Sequence, residues 1–81
     1  MDKTTQLHNI AIAAQNDIRG DFPEAAVEYD IYVEEIGPTT FGVIDMGESY
    51  QAAFEWYGGE WRDVGHDPVA LRDRIIRRRS A

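Results

Sequence analysis

The central part of the chain alternates between apolar and polar residues, and this period of two constrains the fold more than any other feature. The alternation starts at Ala25 and runs to Val64 in four short segments, which are separated by the turn sequences GP, GE and GG. A period of two is typical of strands that bury one face, and short glycine-containing turns join antiparallel neighbours. Residues 25–64 are therefore predicted to form a four-stranded antiparallel meander.

A helical period flanks this region on both sides. Residues 67–79 begin with Asp67 and Pro68, a favourable N-cap followed by a favourable first helical residue. The 81 residues are expected to form a single domain, 1–81, of class α+β in the order α-β-β-β-β-α, with both helices on one face of the sheet. The first helix is predicted over residues 4–19, where the apolar stripe has a period of 3.6 and consists of Leu7, Ile10, Ala11, Ala14 and Ile18.

Charge is distributed unevenly along the chain, whose net charge is −7. Residues 20–67 carry twelve acidic side chains and one basic side chain, whereas residues 68–81 carry five arginines and one aspartate. An acidic surface repels the phosphates of nucleic acids and attracts cationic proteins, so we expect no direct nucleic-acid binding. The arginines have three open interpretations: they complement the negative end of the last helix, hold phosphates, or pair with acids of this or another copy.

The double glycine at 58–59 predicts the register of the aromatic residues. A two-residue turn there places Trp56 opposite Trp61, and a two-residue turn at GE places Phe41 opposite Phe54. In this register one face collects the large rings together with acidic side chains. Its members are Tyr32, Phe41, Val43, Tyr50, Phe54, Trp56 and Trp61, with Asp30, Glu34 and Asp45 among them.

The aromatic face has two interpretations. The small aliphatic stripes of the helices suit the opposite, smoother face, which leaves the rings exposed as an interface. Alternatively the helices cover the rings, which then form the core, because a slip of one residue exchanges the two faces. On the first interpretation the predicted partner-binding residues are Tyr32, Phe41, Tyr50, Phe54, Trp56 and Trp61, with Glu28, Asp30, Glu34 and Asp45 as the acids that attract the partner.

The sequence contains few groups suited to catalysis. It has no cysteine, which excludes thiol chemistry and zinc sites built from cysteine. The two serines, Ser49 and Ser80, lie in a turn and at the end of the last helix, so neither suggests a nucleophile with a base. Asp63, His66 and Asp67 lack a known metal-ligand spacing. We therefore expect no catalytic residues, no cofactor and no metal.

In size, acidity and lack of catalytic residues the chain resembles small inhibitors of nucleic-acid machinery, including phage-encoded anti-CRISPR proteins and other DNA mimics. The likeness is one of general character and rests on no shared motif. It implies a non-enzymatic protein-binding module, an inhibitor or nucleic-acid mimic that docks a basic protein surface. The alternatives are a homodimer that buries the aromatic face, a small enzyme or an RNA-binding domain. No apolar run reaches the roughly 18 residues of a membrane helix, so we expect a cytoplasmic protein without membrane contact.

Overall fold

The computed structural model describes residues 2–24 and 27–80, with side chains as far as Arg78. The predicted α+β class and antiparallel meander are confirmed, while the predicted first residue of the sheet region, Ala25, lies outside the described residues. The four strands form one antiparallel sheet in the order β1-β2-β3-β4. The elements are α1 (Lys3–Asp21), β1 (Asp30–Ile36), β2 (Thr39–Asp45), β3 (Gln51–Tyr57), β4 (Glu60–Gly65) and α2 (Pro68–Ser80).

Each helix begins at an aspartate that caps it. The Asp2 carboxylate accepts a hydrogen bond from the Thr5 N–H at 2.7 Å, and the Asp67 carboxylate accepts one from the Ala70 N–H at 3.1 Å. A carboxylate here satisfies a backbone donor that has no partner within the helix and complements the positive end of the helix dipole. The bond from Thr5 also holds the pKa of Asp2 below its ordinary value.

The predicted register is correct for two of the three strand pairs. Tyr32 lies opposite Val43 in β1 and β2, and Trp56 lies opposite Trp61 in β3 and β4. The second of these pairs follows from the turn at residues 58–59, where both glycines have positive φ, 62° and 83°. Such a turn matches the twist of an antiparallel hairpin and leaves no residue unpaired between the strands.

The register between β2 and β3 differs from the prediction by one residue. Gly42, and not Phe41, lies opposite Phe54. The reason is the turn, in which the Met46 N–H donates to the Tyr50 carbonyl at 2.8 Å, so that three residues form the loop where two were predicted. One additional loop residue moves every side chain on the following strand to the other face of the sheet relative to β2.

The two helices pack against opposite faces of the sheet, and not against one face as predicted from the sequence. Ile44 belongs to the core that contains Leu7 of α1. Its neighbour in the strand, Val43, packs against the core that contains Leu71 of α2. Because successive strand residues point to opposite faces, the helices lie on different sides. The sheet is therefore the middle of three layers.

Gly42 lies directly beneath side chains of α1 and β4. A Cβ atom built at Gly42 would lie 2.8 Å from Cζ3 of Trp61 and 3.0 Å from Cδ2 of Leu7. The absence of a side chain at this position therefore makes room for the indole and the leucine. On the other face, α2 is anchored by two buried residues, Leu71 and Ile75.

Candidate functional site

The exposed aromatic face predicted from the sequence does not form. Of the six predicted aromatic anchors, three are buried, with 3%, 4% and 8% of their surface exposed: Phe41, Phe54 and Trp61. Trp56 and Tyr50 are half-buried and pack against the core beneath α1. Tyr32 alone among the six is exposed, at 58%. The one-residue shift between β2 and β3 places Phe54 and the two indoles on the face that α1 covers, whereas Phe41 lies on the other face, in the core that contains Leu71 of α2.

The two indoles are tied to the start of α1 as part of the core. Nε1 of Trp61 donates to the Lys3 carbonyl at 2.7 Å. The rings of Trp56 and Trp61 meet edge to face, with 5.3 Å between centroids and 77° between planes. The Lys3 ammonium lies 5.6 Å from the centroid of Trp56 and donates to Oγ1 of Thr40 at 3.1 Å. These contacts satisfy the indole N–H of Trp61 within the molecule and join both rings to the start of α1, so the indoles stabilise the fold.

The predicted acidic residues occupy three different environments. Glu28 and Asp30 are exposed at the start of β1. Glu34 forms a two-point ion pair with Arg72 of α2, with N–O distances of 2.7 and 2.9 Å. Asp45 is half-buried and accepts hydrogen bonds from the Gly47 N–H at 2.9 Å and from the side-chain amide of Gln51 at 3.3 Å. The acids that remain available to a partner are therefore those near the start of β1.

The ion pair between Glu34 and Arg72 fixes α2 to the first strand. Hydrogen bonding from Arg72 holds the pKa of Glu34 below its ordinary value, and the same contact raises the pKa of Arg72. Both side chains are nearly half exposed, so solvent screens the attraction. The charge of Arg72 is therefore paired with Glu34. Among the described side chains, no ion pair joins another acid of β1 to α2.

Strand β1 combines exposed apolar side chains with exposed acidic ones. Five of its seven residues are exposed. Tyr32 and Val33 are exposed at 58% and 39%, and they point to opposite faces of the sheet. Asp30 and Glu35 flank them, and both are exposed. We refer to Asp30, Tyr32, Val33 and Glu35 as the β1 surface.

A shallow groove adjoins the β1 surface on the face that α2 covers. It has a volume of about 470 Å³ and lies between the beginning of α2 and strands β2 and β3. Val43 lines this groove and is the cross-strand neighbour of Tyr32. Asp45 lines it too and is the cross-strand neighbour of Asp30. Two carboxylates in directly opposed positions repel each other, which makes this end of the sheet favourable for a cation.

Each of the two histidines lies within hydrogen-bonding distance of a group of its own chain. Nδ1 of His66 lies 3.1 Å from the Gln51 carbonyl oxygen, and Nδ1 of the half-buried His8 lies 3.2 Å from the Tyr29 hydroxyl. Burial, together with the nearby carboxylate of Asp63, raises the pKa of the half-buried Tyr50. Over residues 2–24 and 27–80, no three His, Asp or Glu side chains are grouped so that they could hold a metal ion.

Three arginines of α2 beyond Arg72 are exposed to solvent. Arg74, Arg77 and Arg78 are exposed, and the structure shows no ion pair for these three. The sequence leaves three interpretations of the arginine cluster open. The described side chains of Arg74, Arg77 and Arg78 form no ion pair with the acids of their own sheet. Arg79 lies beyond the last described side chain.

Comparison with known proteins identifies no relative: no protein-family model, no curated protein and no solved structure matches the chain. In the part of the chain that the structure describes, neither helix combines the length and the apolar composition needed to cross a membrane.

Proposed function

We propose that the protein is a small non-enzymatic binding module that docks a protein partner with a basic surface through the β1 surface. The observation that carries the proposal is the exposure of Tyr32 and Val33 between Asp30 and Glu35 on an edge strand. Tyrosine is enriched at binding hot spots because its ring buries a large area at a small entropic cost. The flanking carboxylates increase the association rate with a cationic partner and disfavour an anionic one.

The proposal includes a specific mode of action, in which the module inhibits its partner by occupying a basic site that otherwise holds nucleic acid. The net charge of −7 supports this version, because a protein this acidic competes with phosphates for the same cationic surface. The acids near β1, including Glu28, would present carboxylates to that surface while Tyr32 contributes apolar contact area.

Titration with a hexa-arginine peptide tests the electrostatic part of the proposal. In ¹⁵N-labelled protein we expect chemical-shift changes centred on residues 28–35 and on Val69 beside the groove. Neutralising two acids of the surface, Asp30→Asn with Glu35→Gln, should weaken binding by about three- to thirtyfold, since each exposed charge contributes about 0.3–1 kcal/mol. The matched control is Glu48→Gln with Glu60→Gln, which removes the same charge from exposed sites elsewhere. Equal weakening by both pairs would contradict a localised site.

Capture of the native partner tests the role of the aromatic ring. The protein would be immobilised and exposed to native lysate, and bound proteins would be identified by mass spectrometry. We expect a captured basic protein to be lost with Tyr32→Ala and retained with Tyr57→Ala, a matched control because Tyr57 is exposed to a similar degree, 64%, at the far end of β3. Equal retention by the two variants would contradict the proposal.

A further inference from the structure

The two edges of the sheet differ in their suitability for pairing with another strand. Within the described residues, β1 and β4 each have a strand neighbour on one side only. β1 pairs with β2 over seven consecutive residues without interruption. β4 pairs with β3 through a register shift next to Phe54, which marks a bulge. A bulge twists an edge away from regular pairing, whereas an uninterrupted edge keeps a row of backbone donors and acceptors in line.

The side chains of β1 offer both apolar and acidic groups to an added strand. Asp30, Tyr32 and Glu34 point to the α2 face, as the contact of Glu34 with α2 shows. Val33 and Glu35 point to the α1 face. On each face, therefore, an exposed apolar side chain lies two residues from a carboxylate. A neighbouring strand with alternating apolar and cationic residues would find complementary groups on both faces.

We infer that β1 is a site of strand addition, at which an extended segment of the partner, with apolar side chains alternating with arginine or lysine, pairs with the sheet as a fifth strand. The inference rests on the proposed function, because it specifies how the same surface binds. Main-chain hydrogen bonds along the edge supply affinity, and the side chains of Tyr32 and Val33 with their acidic neighbours supply the preference for this type of segment.

Charge selects a cationic segment over a second copy of the chain. Two copies of β1 brought edge to edge would bring Asp30, Glu34 and Glu35 of one copy close to the acids of the other. Only Glu34 is neutralised, by Arg72 of its own chain. Like charges on neighbouring strands destabilise pairing, and acidic residues on an edge are a common protection against self-association. A strand that carries arginine or lysine converts this repulsion into attraction.

Amide hydrogen exchange with two synthetic peptides tests the inference. The probe is an eight-residue peptide of alternating arginine and valine. Its matched control is the same peptide N-methylated at every residue, which keeps the charge and removes the backbone donors on both edges. With the probe at saturation we expect exchange at alternate amides of residues 30–36 to slow by at least about tenfold, since these N–H groups gain hydrogen bonds. The control peptide should leave these exchange rates unchanged.

Four outcomes would overturn the inference. The first is equal binding of the two peptides without protection of β1, which would leave the proposed acidic surface standing but exclude strand addition. The second is protection of β4 amides by the probe in place of β1 amides. The third is a dimer, seen by sedimentation, that protects β1 without peptide. The fourth is failure of the probe to bind, and the hexa-arginine titration then decides separately whether the proposed function survives.

Discussion

Gly42 is the position where the packing beneath α1 can be tested most sharply, because there is no room for a methyl group. A Cβ atom at Gly42 would lie 2.8 Å from Cζ3 of Trp61 and 3.0 Å from Cδ2 of Leu7. Carbon atoms pack at about 3.5–4.0 Å, so both side chains would have to move. We expect Gly42→Ala to lower the free energy of unfolding by about 1–2 kcal/mol, since an overpacking cost of about 1–3 kcal/mol exceeds the roughly 0.5–1 kcal/mol gained by replacing glycine in a strand.

The matched control is the same chemical change at Gly20, near the end of α1. No atom lies within 4 Å of a Cβ built there. Gly20→Ala should therefore raise the free energy of unfolding by about 0.5–1 kcal/mol, because alanine is the better helix former. Thermal and urea denaturation followed by circular dichroism measure both variants. For a domain of this size the expected loss at Gly42 corresponds to a midpoint about 4–15 °C lower.

A double-mutant cycle with Trp61→Phe tests whether the indole is the group that opposes the added methyl. The smaller ring leaves space beside Gly42, so Gly42→Ala should cost at least about 0.5 kcal/mol less in the Trp61→Phe background than in the wild type. The reasoning is refuted if Gly42→Ala leaves stability unchanged or raises it. It is also refuted if the substitution costs the same in both backgrounds.

Three further predictions concern single contacts. Because Arg72 lowers the pKa of Glu34, the ion pair stabilises the fold above the unfolded-state pKa of glutamate, and this stabilisation is lost as the pH falls through the lower folded-state pKa. Glu34→Gln should remove this part of the acid dependence, measured as the unfolding midpoint against pH. A profile that the substitution leaves unchanged would exclude a contribution of the ion pair to stability. Trp61→Phe alone should lower the free energy of unfolding, measured by urea denaturation, by about 1–3 kcal/mol, because the Lys3 carbonyl loses its hydrogen-bond donor and the ring becomes smaller. An unchanged free energy of unfolding would contradict a stabilising role of this hydrogen bond. Gly58→Ala should destabilise the hairpin by about 1–2 kcal/mol, because φ is 62° there; D-alanine at this position in synthetic protein should restore stability, and no difference between the two forms would be inconsistent with the turn.

Most of the architecture could be predicted from the sequence because local patterns determine it. Three features depend only on neighbouring residues in the chain: the period of 3.6 in residues 4–19, the period of two in the centre and the capping by Asp67. The turn at residues 58–59 likewise specifies its own register, since two glycines suit a two-residue loop. These features are confirmed by the structure, with α1 extending to Lys3–Asp21.

The faces of the sheet could not be predicted because they depend on one turn whose length the sequence leaves open. Glycine at position 47 suits either a two-residue or a three-residue loop, and the observed loop includes Ser49. A difference of one residue decides whether Phe54 and Trp61 share a face with Phe41 or with Ile44. The predicted docking residues separate accordingly: Phe54 and Trp61 are core beneath α1, while Tyr32, on the edge strand β1, is exposed.

The central claim is that the indoles form core beneath α1 and that the β1 surface remains accessible to a partner. Identifying the groups that surround the Trp61 ring tests this claim most directly. The measurement is a nuclear Overhauser experiment on ¹³C- and ¹⁵N-labelled protein. We expect contacts from the Trp61 ring to the Leu7 methyl groups, together with slow exchange of the indole N–H that is bonded to the Lys3 carbonyl. Contacts from the ring to Leu71 of α2, or an indole N–H that exchanges as fast as one in free solvent, would contradict it.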